Sequence, residues 1–355
     1  MGVSVNDGRV TSDAAARRAR IAGVSLAGHA ALLLFSGIAF ATFLAPPFPA
    51  WLTSPANQRV ASFMFTFGGQ TTVVLGALAG IFHAASRLGW RTTLGIFAAG
   101  FTLSLSAELA GTTTGYPFGP YSYTTQLGYL IAGRVPFNIP TSWFFMLYAS
   151  LAICGRLLAA RDDAAMRWRW AAVAALVLTA WDVSMDPAMV STTHWLWHLP
   201  DVQGASVVRR VALSNLFYGM PLTNWLGWLL TGFVVARVML AIVPPSRWAS
   251  RVSPTRLPLV LYGVNGILPL AICVGRGLWW AVGLGAAAMA LPLVLALRAG
   301  SAPRSSHAGA AARVGGVGGP PDNKFASSPL PASSLHRVSN PSDDGHPAYS
   351  TSTPS

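Results

Sequence analysis

Apolar runs of about 20 residues, each long enough to cross a bilayer as a helix, recur along this chain. They fall near 21–44, 60–83, 92–110, 140–160, 169–187, 220–243, 257–275 and 278–297. The pattern predicts an all-α fold: a polytopic integral membrane helix bundle of about eight transmembrane helices. The first run follows Arg17, Arg18 and Arg20. At about 24 residues it exceeds the 7–15-residue apolar core of a secretory signal, so it reads as a retained span. Residues 1–16 are polar and read as a flexible N-terminal arm, and 17–299 as the transmembrane domain. Residues 300–355, rich in Ser, Pro, Gly and Ala, are too poor in large apolar residues to bury a core and read as a disordered tail.

Composition agrees with the pattern. The 355 residues are 53% hydrophobic and 10% charged, with a mean hydropathy of +0.49. A soluble enzyme needs more charge than this on its exterior. Two cysteines, Cys154 and Cys273, exclude a disulfide scaffold and read as packed apolar residues. The net charge is +13, but it comes almost entirely from Arg placed between apolar runs, not from a stripe with interleaved aromatics. No nucleic-acid partner is expected. With the N-terminus inside, most of the arginines fall in inner loops, which predicts both termini in the cytoplasm. A multi-pass protein of the plasma (inner) membrane follows.

Three local patterns resemble chemistry without its context. Gly283-Leu284-Gly285-Ala286-Ala287-Ala288 follows no strand and reads as close helix packing, not dinucleotide binding. Gly315–Gly319 is low-complexity tail. His194 and His198 would share one helix face, as a metal-ligand pair does. An aromatic belt at the outer interface accounts for the same residues, and without a clear third ligand no metal is expected.

The acids carry the sharpest signal. There are 11 Asp and Glu. Asp7, Asp13, Asp162, Asp163, Asp201, Asp322, Asp343 and Asp344 lie outside the spans, whereas Glu108, Asp182 and Asp186 lie within them. Glu108 is the only Glu in the chain, and Asp182 and Asp186 are four apart on one helix face. An ionisable group in a span is costly and functional by default, the bland alternative being a pairing with Arg134, Arg209 or Arg210. The third and fifth spans run the same way, so all three acids meet at one depth. The Gly/Pro/aromatic stretch after Glu108 reads as an ordered capping loop. The fourth and sixth spans begin at the same side with Asn138-Ile139-Pro140 and Pro221-Leu222-Thr223-Asn224. These ends predict an apolar pocket with acid–base groups.

The segments around that pocket resemble the membrane family of carotenoid 1',2'-hydratases and bisanhydrobacterioruberin hydratases. The resemblance rests on Glu108, Gly111, Thr114, Gly115, Pro117, Phe118, Gly119, Tyr121 and Tyr123, continued by Pro136, Ile139, Pro140 and Trp143. Asp182, Asp186 and Pro187 form a second signature, and Gly219, Pro221, Asn224, Gly227 and Trp228 a third. The outer loop Leu199–Leu216 is longer than the family leads one to expect. The resemblance implies addition of water across the terminal double bond of an acyclic (ψ) end group, giving a tertiary alcohol. The substrate would be a lipid-soluble carotenoid such as lycopene or γ-carotene. Other partners would be membrane lipid and, in association, other enzymes of the pathway.

The residues suit that chemistry. An alkene needs a strong proton donor, and a carboxyl group in apolar surroundings is one. Asp182 or Glu108 is the expected acid and Asp186 the base or water holder. Aromatic faces would steady the resulting cation. The expected substrate-binding residues are Tyr116, Phe118, Tyr121, Tyr123, Asn138, Trp143, Trp181, Asn224 and Trp225. No cofactor is required. The same acids would also serve a cyclase, an isomerase or a proton-coupled carrier of a small hydrophobic solute.

Overall fold

The computed structural model describes residues 4–44, 48–214 and 217–301. The expected tail lies, beyond Ser301, outside them. The chain is an all-α polytopic membrane protein. Its long helices are α1 (Ser4–Thr42), α2 (Pro55–Leu88), α3 (Trp90–Thr114), α4 (Asn138–Leu157) and α5 (Ala164–Ser191). The short α6 (Val207–Leu213) precedes α7 (Leu222–Ile242). A single turn, α8 (Pro245–Arg247), leads through a π-helical turn to α9 (Leu257–Val264), α10 (Ile267–Gly275) and α11 (Trp279–Ser301). Helix α1 thus takes in residues 4–16, which the polar composition had assigned to a flexible arm. Among the described residues, 7 helices are long and apolar enough to cross a membrane. The eighth expected span is α4.

Helix α4 differs because of where it sits. It packs against α2, α3, α5, α9 and α11, and every residue from Pro140 to Cys154 is buried. A helix enclosed on all sides needs no apolar face for lipid, so it can carry Asn138, Thr141, Ser142, Tyr148 and Ser150. The outer helices show the reverse arrangement. In α3 the buried positions are Thr93, Ile96, Gly100, Ser104, Glu108 and Gly111, a stripe of small and polar residues at helical spacing. Leu34 and Phe35 on α1, Phe63 and Phe67 on α2, Leu226 and Leu230 on α7 and Leu291 on α11 are exposed. Such an apolar collar suits lipid.

The seventh expected span, 257–275, is broken at Asn265–Gly266 into α9 and α10. Asn265 Nδ2 donates to the Leu261 carbonyl at 2.7 Å, and its own carbonyl accepts the Trp181 indole N–H at 2.9 Å. Arginines gather at one end of the bundle and cap helix carbonyls there. Arg18 donates to Ala85 O at 3.0 Å, Arg247 to Leu88 O at 3.0 Å and Arg167 to Leu240 O. At the other end, β1 (Tyr121–Tyr123), β2 (Leu130–Ile131), β3 (Val135–Pro136) and β4 (Trp195–Trp197) form two small antiparallel pairs, β1–β4 and β2–β3.

Close packing at the Gly283–Ala288 stretch rests on one of its glycines. A Cβ on Gly285 would lie 2.6 Å from Ser184 Cβ on α5, whereas one on Gly283 would meet nothing within 4 Å. Gly285→Leu is therefore expected to lower stability by about 1–3 kcal/mol through overpacking, and Gly283→Leu to leave it unchanged. Thermal unfolding of the two variants in detergent checks this; equal midpoints would refute the contact.

Candidate active site

Two short strands with side chains of period two build the lid of the site. In Tyr121-Ser122-Tyr123 and Trp195-Leu196-Trp197 the aromatic residues take alternate positions, so each strand presents its rings on one face. The register pairs Tyr121 with Trp197 and Tyr123 with Trp195. The rings meet with centroids 5.2 Å apart in the first pair and 5.8 Å in the second. Leu196, pointing the other way, is exposed. Phe118 anchors the segment before β1. It enters a slot between two helices: a Cβ on Gly111 of α3 would lie 2.8 Å from its ring, and one on Gly227 of α7 only 2.5 Å. Both positions require glycine for the approach.

Under this lid lie the three acids, all buried. Glu108 Oε2 accepts from the hydroxyls of Tyr121 and, at 2.8 Å, Tyr123. Its Oε1 accepts from Trp143 Nε1 at 3.0 Å. Burial, then the charge of Glu108, pushes both tyrosine hydroxyls well above the usual range, so they remain donors. Asp186 accepts from Trp195 Nε1 at 2.6 Å and from Asn224 Nδ2 at 2.7 Å. Asp182 accepts from the same Asn224 nitrogen at 2.8 Å, while its Oδ1 has no hydrogen-bond partner. A primary amide has two N–H groups, one for each carboxyl. No basic side chain among the described residues pairs with these acids. Arg134 donates to the Thr112 carbonyl at 3.0 Å, and Arg209 and Arg210 are exposed on α6.

A cavity of about 60 Å³ lies between Glu108 and Asp186. Its walls include Phe118, Tyr121, Tyr123, Trp143, Trp181, Trp195, Trp197, Asn224 and Trp228. Asp182 is not in the wall; it reaches Asp186 through Asn224. A second, larger and mostly apolar cavity of about 380 Å³ shares Ile139, Ser142, Trp181, Met185 and Trp195 with the first.

The structure thus gathers Glu108, Asp186, Phe118, Tyr121, Tyr123, Trp143, Trp181 and Asn224 around one small cavity. Asn138 lines the larger one, with Nδ2 donating to Leu127 O at 3.0 Å and Oδ1 left without a donor. Tyr116 is 78% exposed and lies away from the site. Trp225 also lies away, against Phe217 at 5.3 Å between centroids. On α7 the position facing the cavity with Asn224 is one turn on, at Trp228, which stacks on Trp143 at 4.3 Å. Trp195, Trp197 and Trp228, with Ile139, Ser142 and Met185, are the wall residues that sequence reasoning did not name as site residues. The Tyr-x-Tyr and Trp-x-Trp alternation was the available signal for the first two. His194 and His198 flank strand β4, so they do not share a helix face. His194 Nδ1 lies 2.7 Å from Thr192 Oγ1 and His198 Nε2 2.7 Å from Ser122 Oγ. Burial pushes the His194 imidazole down to about 4, so it is neutral at pH 7.

A family model described as carotenoid biosynthesis protein matches residues 68–292, a range that holds all three acids and both strands of the lid. The chain belongs to this family. It is also 32% identical over 171 residues to the bisanhydrobacterioruberin hydratase of Haloarcula japonica, a match covering 48% of this chain and 51% of that protein. The chain therefore spans about half the length of the curated relative it matches. No solved structure matches.

Because one amide serves two carboxyl groups, Asn224→Leu is expected to leave both short of a donor. The cost should be about 1–3 kcal/mol for each orphaned oxygen. A thermal midpoint equal to that of the parent protein would show that the bridge is not what holds the acids.

Proposed function

We propose that this protein is a carotenoid 1',2'-hydratase, adding water to the terminal double bond of an acyclic (ψ) end group. The observation that supports it best is the placement of Glu108 and Asp186 on the walls of one aromatic cavity. Its volume of about 60 Å³ has room for about two waters, at roughly 30 Å³ each. The matched relative's name points to the same reaction class.

Asp182 and Asp186 share one amide nitrogen, and two carboxylates so close repel if both ionise. We assign the proton that starts the reaction to this pair. Asp186, the member in the cavity wall, delivers it, which exchanges the roles expected from the sequence for Asp186 and Glu108, because Asp182 does not reach the cavity. The proton adds to the CH carbon of the terminal double bond, and the π electrons form the new C–H bond. The tertiary carbon is left as a cation. The indoles of Trp143, Trp181 and Trp228 line the cavity around it, and an indole face turned to the cation is worth up to about 2 kcal/mol where water is excluded. Water adds to the cation, and its proton passes to Glu108, whose two oxygens are held by Tyr121, Tyr123 and Trp143. Transfer of that proton back to the aspartate pair resets the site. The reaction changes no net oxidation state, so it needs no redox cofactor. The arginine-rich end of the bundle lies opposite the acids, which supports a site facing the outer leaflet.

Glu108→Gln and Asp186→Asn are each expected to lower hydration about 100-fold or more, the range of a lost general acid or base. Asp182→Asn should cost less, because Asp182 acts through Asn224. Mass analysis of carotenoids from cells that accumulate the ψ-ended precursor reads this out as the gain of one water. Parental product from all three variants overturns the assignment. A product of unchanged mass from the parent protein would point to a cyclase or isomerase. Conversion by detergent-purified protein, with no membrane gradient, excludes a carrier.

A further inference from the structure

We propose that the larger cavity holds the polyene next to the reacting end group, and that Gly68 and Gly69 of α2 keep it wide enough to do so. The inference rests on the carotenoid reading above. The cavity lies between α1, α2, α4, α5 and α10. It joins the acid-lined cavity at Ile139, Ser142, Trp181, Met185 and Trp195, so a chain lying in it directs its end between Glu108 and Asp186. Its lining includes Phe35 of α1 and Val60 of α2, each more than half exposed, and Trp51, also more than half exposed, in the turn that joins those helices. An apolar chain can enter there from the bilayer. The deep end is closed by His29, whose Nδ1 lies 2.7 Å from Thr72 O and whose Nε2 lies 3.1 Å from Asn265 Nδ2.

Two adjacent glycines within a spanning helix need a physical reason, because glycine is a poor helix former. Elsewhere in α2 the reason is packing. A Cβ on Gly76 would lie 2.9 Å from the His29 ring, and one on Gly80 3.3 Å from Phe145 Cβ. Gly68, half-buried, and Gly69, exposed at the edge, also line the cavity, yet a Cβ on either would meet nothing within 4 Å. They leave space unfilled. A rigid, methyl-branched polyene needs that width, whereas an unbranched acyl chain is thin and flexible enough to pass without it.

The test uses the purified full chain in detergent with lycopene and with a short probe, 2,6-dimethyloct-2-ene, which carries the same trisubstituted double bond on a chain far shorter than the polyene. Gly68→Leu and Gly69→Leu are expected to lower co-purifying lycopene, read by its visible absorption, and its hydration by about tenfold or more. Both should still hydrate the short probe at the parental rate. Gly283→Leu, which also points into open space but away from the cavity, should match the parent in all three. Gly69→Ala, adding only a methyl group, gives an intermediate loss and guards against a folding defect in the Leu variants. Parental lycopene binding and hydration by both Leu variants overturns the proposal. So does phospholipid that lycopene cannot displace from the parent cavity. If the parent binds lycopene but hydrates neither probe, the hydratase reading falls. Loss of that binding in Gly69→Leu then still supports the cavity's role.

Discussion

The structure depends on keeping three carboxyl groups inside an apolar bundle. Removing such groups from water costs several kcal/mol each unless hydrogen bonds replace the water. Here the replacements are neutral donors: two phenols and an indole on Glu108, and an indole and an amide on the aspartates. Arginine would neutralise the acids more strongly but would also hold them as ions. Neutral donors leave each carboxyl group able to give or take a proton. The placement of α3, α4, α5 and α7 follows, because each must bring an acid or one of its donors to the same point.

The remaining donors come from segments that are not helical. Tyr121 and Tyr123 on β1 and Trp195 on β4 reach the acids only because the two strands pair. The ribbon in turn lies flat on the helix ends only because Phe118 enters the slot between Gly111 and Gly227. A methyl group on either glycine would lift the lid, and with it the tyrosine hydroxyls bound to Glu108. Glycine and aromatic residues far apart in the chain therefore act on one carboxyl group.

Much of this was legible in the sequence, for identifiable reasons. Acids are so scarce that the three within spans stand out, and a spacing of four puts Asp182 and Asp186 on one face. Helix direction alone brings Glu108, Asp182, Asp186, Trp143 and Asn224 to one depth. Contacts between distant segments were not legible. Pairing of β1 with β4 joins stretches whose period is two but whose partner no local pattern names. Trp225 and Trp228 are equally apolar, and only the rotation of α7 decides which faces Trp143. The apolar run of α4 resembles the others, although its polar residues mark a helix enclosed by protein. That Asp182 stands behind Asn224, out of the cavity, depends on packing distances.

The two cavities resolve a conflict within the proposed chemistry. A carbocation next to a carboxylate survives longest where little water is present, yet water is the second substrate. A cavity of about 60 Å³ limits the supply to at most about two molecules between Glu108 and Asp186, fewer once an end group enters. The larger cavity is lined mainly by apolar side chains; three of its polar residues, His29, Thr72 and Asn265, bond to one another, while Asn138 Oδ1 is left without a donor. It gives water little to hold, while an apolar chain gains about 25 cal/mol for each Å² it buries there. Binding the chain then also excludes water from all but the acid end. On the proposed reading the order of events would be that the polyene seals the site, the proton is delivered, and the trapped water adds to the cation.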